Sequence, residues 1–243
     1  MIIVFLLIMV LILLLAGLVL SVKGKPDEEN QIRLPRPIRI LLSILLVVSA
    51  LFILGSSGEN TSVYSTWVLG GMLLSFIGDL AMAKIIPFRN RIAGGMLFFA
   101  LAHGLYITAY IRTLHLRGLT LISTNFFVVL ISFEAVAFIG WRSLVRNPKG
   151  KKSINAGSLL YTFCVAFMAS TAVRLALTGG SSWWVAAVGA ILFVISDSII
   201  AVTKLGKITF KYSEIFVWLT YVSGQVGIIY SPWIQSVFAR VLI

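Results

Sequence analysis

The feature that most constrains this chain is a series of eight apolar blocks, each close to the length of a membrane-spanning helix. About 20 residues of helix cross a bilayer core of roughly 30 Å. Spanning β-barrels instead show short segments of alternating polarity, so the pattern excludes them. We therefore predict an all-α, polytopic membrane protein, a bundle of eight transmembrane helices that forms a single integral membrane domain over residues 1–243. The predicted spans are about 1–22, 38–54, 64–83, 92–111, 119–140, 156–177, 183–203 and 214–235.

The composition supports the same class. Hydrophobic residues make up 59% of the chain and charged residues only 12%, which excludes an ordinary water-soluble domain. The single cysteine, Cys164, excludes an intramolecular disulfide framework and a cysteine-based metal site. The segment 23–37 mixes Lys, Asp, Glu and Pro, and this mixture predicts a solvated loop.

The net charge of +12 is distributed unevenly between the two ends of the predicted bundle. The loops after spans 1, 3, 5 and 7 hold 16 of the 20 basic residues, whereas the opposite side holds Arg112, Arg117 and Arg240. By the positive-inside rule, both termini face outward and loops such as 142–152 are cytoplasmic, as in a multi-pass protein of the cell membrane. The charge thus indicates topology and attraction to anionic membrane lipids, and a nucleic-acid partner is not needed to explain it.

Three carboxylic acids, Asp79, Glu134 and Asp197, lie in the interior of predicted spans, away from the span ends. An ionisable side chain there costs several kcal/mol unless it is paired or faces a wet cavity. Together with polar residues of other spans, they lie 5 to 14 residues from the nearest basic loop residue. At about 1.5 Å per residue this places them in one layer roughly 15 Å thick, in the inner half of the membrane. The other members of the layer are His103, Tyr161, Tyr221 and Gln225.

Helical spacing adds two neighbours to this polar layer. Ser75 precedes Asp79 by four residues, and Tyr106 follows His103 by three, so each pair shares one helix face. One interpretation is a polar network that only holds the helices together. The coincidence in depth favours a functional site instead.

Known catalytic templates leave one arrangement for this layer. His103 is the only imidazole within a span, so a three-histidine zinc site fails. Ser75 or Ser196 could join a Ser-His-Asp triad, but the sequence lacks G-x-S-x-G. Two carboxyls on separate helices remain. Because both cannot ionise easily in a site of low dielectric, one keeps its proton, and an acid beside a base is suited to acid-catalysed hydrolysis.

Five segments in order carry a resemblance to a known family. They are G-M-L-L-S-F-I-G-D over 71–79, G-x3-F-x3-H-x2-Y over 95–106, G-x3-F-x2-S-D-x3-A over 189–201, and the pairs Tyr161 with Met168 and Tyr221 with Gln225. Over residues 64–235 the chain resembles the YhhN family of integral membrane proteins, which includes the lysoplasmalogenases.

The resemblance implies an ether hydrolase whose reaction requires no metal and no organic cofactor. The expected reaction cleaves the vinyl ether bond of a lysoplasmalogen, an alkenylglycerophosphocholine or -ethanolamine, to a fatty aldehyde and a glycerophospho-alcohol. The family's acid-base pair maps onto Asp79 and Asp197, and the lysophospholipid is the expected partner. The resemblance and the depth argument together give the supporting residues Ser75, His103, Tyr106, Glu134, Tyr161, Ser196, Tyr221 and Gln225.

The main alternative is a proton-coupled transporter of small molecules or lipids, because intramembrane acids also form proton relays. The spans lack mid-helix prolines and an evident inverted repeat, both common in transporters, which favours the hydrolase.

Overall fold

The computed structural model describes residues 1–26 and 30–241, and residues 27–29 of the first loop lie outside the described part. Over the described residues the chain is all helical, which confirms the predicted fold class. The eight α-helices are α1 (Ile2–Lys23), α2 (Arg36–Ser56), α3 (Glu59–Met82), α4 (Arg91–Leu116), α5 (Thr124–Gly140), α6 (Lys152–Gly179), α7 (Trp184–Lys204) and α8 (Ser213–Val241).

Length and composition make seven of the described helices, α1 to α7, able to cross a membrane. In the fifth of these, α5 continues into a π-helical turn, Trp141–Val145. The chain is therefore an integral membrane protein. Helix α8 has 29 residues and packs along α7 in the same bundle. That α8 also crosses the membrane remains a prediction.

The helices divide into a packed centre and two peripheral members. The closest pairs are α3 with α4 and α7 with α8, while α6 contacts α4, α5 and α7, and α2 contacts α3 and α8. Helix α1 packs on α2 and α8, and α5 packs on α6. Both peripheral helices expose large apolar side chains, such as Leu15 and Val136, as is expected of helices in contact with lipid.

Glycines allow α7 and α8 to touch backbone to backbone. A Cβ atom added to Gly189 would lie 2.6 Å from the carbonyl oxygen of Gly224, and one added to Gly227 would lie 2.7 Å from that of Val185. Small residues at such a crossing let helices approach closely. This contact sets the position of α7 along α8. Each of these helices supplies residues to the candidate site.

Two local differences from the sequence prediction have clear causes. The fifth helix begins at Thr124 rather than at 119, because the Ser123 hydroxyl accepts a hydrogen bond from the amide of Phe126 (3.1 Å) and caps the helix there. The segment 30–35, expected to be solvated, is instead folded back against the α7–α8 loop. Gln31, Ile32 and Leu34 are buried, and the amide of Ile32 donates to the carbonyl oxygen of Lys211 (2.8 Å).

Candidate active site

Asp79 lies in the last turn of α3 and is held by donors from two other helices. Its Oδ2 accepts hydrogen bonds from the Ser43 hydroxyl of α2 (2.6 Å) and the Tyr221 hydroxyl of α8 (2.8 Å). The carboxyl group is half-buried. Because two hydroxyls on different helices donate to the same oxygen, the orientation of the carboxyl group is fixed.

Asp197 is held in a similar way on α7, with only 7% of its surface exposed. Its Oδ2 accepts from the Tyr161 hydroxyl of α6 (2.5 Å) and lies 3.2 Å from Nε2 of His103, on α4. The His103 ring is fully buried, and its Nδ1 has no hydrogen-bond partner among the described residues. Nε2 is thus the nitrogen in position to donate to the carboxylate.

Asp79 and Asp197 line one cavity of about 80 Å³ between α2, α3, α4, α7 and α8. The side chains of Phe99 and Trp218 supply apolar wall, and the Tyr221 ring that binds Asp79 also faces the cavity. This volume is enough for several water molecules. Two carboxyl groups therefore border a small space in which water can be held between them.

A directed hydrogen-bond chain supports the Tyr221 hydroxyl. The Tyr106 hydroxyl donates to Oε1 of Gln225 (3.0 Å), and Nε2 of Gln225 lies 3.5 Å from the Tyr221 hydroxyl. The Ser75 hydroxyl joins the far end, 3.3 Å from that of Tyr106. Because Tyr106 donates to Gln225 and Gln225 donates to the Tyr221 hydroxyl, that hydroxyl is oriented to donate to the carboxyl group of Asp79.

Two aromatic rings pack against the hydrogen-bonded groups. The centroid of the Phe193 ring lies 4.7 Å from that of the His103 ring and 5.3 Å from that of the Tyr221 ring, and both pairs are edge to face. The Phe99 ring packs edge to face on Phe193 and Tyr221. These contacts restrain the groups that bind the two carboxyls.

Basic side chains line the same cavity as the carboxyls. Arg33, Arg39 and Arg91 are joined by Lys204, whose ammonium group forms an ion pair with Glu214 (3.0 Å). Arg39 lies one turn before Ser43 on α2, and its Nε is buried without a hydrogen-bond partner among the described residues. The cavity thus combines carboxyl groups with several cations.

Most of the residues expected from the sequence come together here, although their roles remain predictions. Ser196 lines the cavity, but its hydroxyl donates to the carbonyl oxygen of Val217 (3.2 Å) and joins α7 to α8. Glu134 lies apart on α5, and its Oε2 has no hydrogen-bond partner among the described residues. Among the predicted residues, those that contact Asp79, Asp197 or the chain of donors are Ser75, His103, Tyr106, Tyr161, Tyr221 and Gln225.

Sequence reasoning missed Ser43 and Arg39. A serine in an apolar helix commonly bonds to its own backbone, so Ser43 carried no signal. Arg39 was counted only as one of the basic loop residues. In the part of the chain that the structure describes, no three His, Cys, Asp or Glu side chains form a group able to hold a metal ion.

Comparison with known proteins gives the family of the chain. The model of the YhhN family matches residues 36–231, which contain every residue of the site except Arg33. A curated relative, the lysoplasmalogenase TMEM86A of Bos taurus, is 31% identical over 166 residues, covering 66% of this chain and 62% of the relative. The match thus spans less than two thirds of that relative's length. No solved structure matches the chain. The chain belongs to the YhhN family.

Proposed function

We propose that this protein is a lysoplasmalogenase-like hydrolase of the cell membrane, with Asp79 and Asp197 as its acid-base pair. The observation that carries the proposal is the cavity of about 80 Å³ lined by both carboxyls. Each carboxyl accepts a hydrogen bond from the hydroxyl of a tyrosine on another helix. Membership of the YhhN family and the similarity to a lysoplasmalogenase support the choice of reaction.

The chemistry of a vinyl ether suits two carboxyls that share one proton. One carboxylic acid transfers its proton to the alkenyl carbon that is not bonded to oxygen, which gives an oxocarbenium ion. The other carboxylate stabilises this cation and then accepts a proton from the water that attacks the oxygen-bearing carbon. The resulting hemiacetal collapses to a fatty aldehyde and a free glycerol hydroxyl. The pair again holds one proton at the end, so the proton balance closes.

The cations of the cavity suit the phosphate of a lysophospholipid head group. Arg39 lines the cavity beside Asp79, and Arg91 lines it from the first turn of α4. A guanidinium group binds phosphate oxygens through paired hydrogen bonds. We place the head group among these side chains, with the basic loops on the cytoplasmic side of the membrane.

The deciding experiment measures aldehyde release from an alkenyl-glycerophosphoethanolamine by the detergent-purified protein. We expect turnover by the wild type and a loss of about 10²- to 10⁴-fold in kcat for Asp79→Asn and for Asp197→Asn, since each variant removes one partner in proton transfer. The double variant is expected to be little worse than either single one, because the two residues act as a unit.

A matched substrate provides the control. The saturated alkyl ether has the same head group and chain length, but it has no alkenyl carbon to accept the proton, so it is expected to stay intact. Release of a fatty acid from the corresponding ester would indicate a lysophospholipase instead. Absence of aldehyde together with proton-dependent lipid uptake in liposomes would favour the transporter.

A further inference from the structure

The chain carries an apolar groove that meets the candidate site from the lipid side. It lies between α5 with its π-helical turn, α6 and α7, and we call it the chain groove. Its volume is about 420 Å³, within the range of pockets that hold small ligands. Aliphatic side chains form most of its walls, among them Val136, Leu144, Val165, Val194 and Val202.

The hydroxyl groups along this groove are already satisfied by their own helices. Ser132, Thr162 and Ser198 each donate to the carbonyl oxygen four residues earlier, at 2.7 to 2.8 Å. The polar element that remains at the wall is the hydrogen-bonded pair Tyr161 and Asp197. The groove therefore suits a hydrocarbon chain along its length and presents one carboxyl group to it.

Asp197 lines both the chain groove and the charged cavity. The two spaces differ in chemistry, because the cavity is lined by basic side chains and the groove by aliphatic ones. A lysophospholipid has the same division, with a charged head group at one end and a chain at the other. In a vinyl ether, the bond to be cleaved lies where the two parts join.

We propose that the chain groove binds the hydrocarbon chain of the substrate, which enters from the bilayer between α5 and α7 and places its first carbons beside Asp197. This inference rests on the proposed function. The lipid-facing side chains beside the groove support entry from the bilayer, since Val136 is 72% exposed and Ile195 is 42% exposed.

A second apolar groove provides an internal comparison. It lies between α4 and α6, has the same volume of about 420 Å³, and is lined by Leu97, Gly157 and Leu160. Tyr161 lines both grooves, whereas Asp197 lines the chain groove and not the α4–α6 groove. A chain in the α4–α6 groove would therefore contact a supporting hydroxyl, whereas a chain in the chain groove contacts the proposed catalytic carboxyl itself.

Glycines in the two grooves allow a matched test. Gly140 lines the chain groove and Gly157 lines the α4–α6 groove, and a Cβ atom added at either position meets no atom within 4 Å. Gly140→Phe and Gly157→Phe thus each start the same side chain from an unhindered Cβ at the wall of one groove. Each variant is assayed with a hexadecenyl and a hexenyl lysoplasmalogen that share one head group.

We expect Gly140→Phe to raise KM for the hexadecenyl substrate by about tenfold or more. This is the loss of affinity expected when two methylene groups of the chain are no longer buried. KM for the hexenyl substrate is expected to change much less, and Gly157→Phe is expected to leave both values near those of the wild type. The reverse pattern, or no change in either variant, would overturn the proposal.

A binding measurement on the wild-type protein separates this inference from the proposed function. The probe is a lysophosphatidylethanolamine analogue with an uncleavable alkyl ether and a diazirine near the end of its chain. We expect crosslinks on peptides that contain Val136, Leu144 or Val202, and their loss in Gly140→Phe. Crosslinks on the α4–α6 groove, or spread evenly over the lipid-facing helices including α1, would refute the groove. If the wild type releases no aldehyde, the proposed function fails while the crosslinks still decide the groove.

Discussion

At the scale of single residues, Ser43 offers a sharp test of how Asp79 is used. Its hydroxyl donates to Oδ2 of Asp79 at 2.6 Å, the shorter of the two hydrogen bonds to that atom. A hydrogen bond to a charged group contributes about 1.5–3 kcal/mol. We therefore expect Ser43→Ala to lower kcat for lysoplasmalogen by roughly ten- to a hundredfold.

Ser49 on the same helix is the matched control for Ser43. It is also buried, and its hydroxyl accepts a hydrogen bond from Tyr230 (3.0 Å) away from the cavity. Ser49→Ala is expected to lower thermal stability in detergent and to leave kcat within about twofold of the wild type, since the lost hydrogen bond is structural. Equal losses of kcat in the two variants would show that Ser43 acts only through the packing of α2.

Glu134 tests whether depth in the membrane is enough to identify a functional carboxyl. It was expected in the same layer as the two aspartates, yet it lies on the peripheral helix α5 and lines neither the cavity nor the chain groove. We expect Glu134→Gln to keep kcat within about twofold of the wild type, because no proton transfer passes through it. The same carboxylate-to-amide change at Asp197 is the contrast. A large loss in Glu134→Gln would place α5 in the catalytic machinery.

The residue scale also shows what the sequence could and could not predict. Asp79, His103 and Asp197 were identifiable because buried ionisable groups are costly and occur where something compensates for them. Ser43 was not identifiable, because serine in a helix costs little and usually bonds to its own backbone. Depth along the helix was readable from the sequence, whereas the direction in which Glu134 faces depends on packing between helices.

At the scale of elements, the α7–α8 crossing determines the placement of Asp197 and Tyr221. Gly189 contacts the backbone of α8, so the Cβ of an alanine there would force the helices apart. Overpacking of this kind costs about 1–3 kcal/mol. We expect Gly189→Ala to lower the melting temperature in detergent and to reduce kcat, because Asp197 and Tyr221 shift relative to each other.

Gly104 on α4 is the control for this substitution. A Cβ atom added there meets no atom within 4 Å, so Gly104→Ala is expected to leave stability unchanged or to raise it by about 0.5–1 kcal/mol through the higher helix propensity of alanine. Similar destabilisation of both variants would contradict a special role for the α7–α8 contact.

The helices themselves were predictable and the connections were not. Apolar length located all eight helices, because a span must satisfy its backbone internally over a fixed thickness. The segment 30–35 was misjudged, because its polar composition conceals Ile32 and Leu34, which are buried against the α7–α8 loop. Arg33 of that segment lines the cavity, so the misjudged loop belongs to the mouth of the site.

At the scale of the whole molecule, the site lies toward the end of the bundle that carries most of the basic residues. Asp79 and Asp197 lie near the ends of α3 and α7 that lead into the loops containing Lys84 and Lys207. A lysophospholipid of that leaflet has its phosphate at the same height as these loops. Under the proposed function, the orientation of the chain in the membrane determines which leaflet supplies the lysophospholipid.

That orientation is testable with two cysteines at opposite ends of the bundle. The background is Cys164→Ser, which removes the one native cysteine. Lys149→Cys lies in the exposed loop between the π-helical turn and α6, and Ser181→Cys lies in the exposed turn between α6 and α7. Because 16 of the 20 basic residues lie in the loops of one side or at the helix ends that flank them, we expect that side to be cytoplasmic. An impermeant maleimide is then expected to label position 181 in intact cells and position 149 only after permeabilisation. Labelling of position 149 in intact cells would contradict this orientation and assign the site to the outer leaflet.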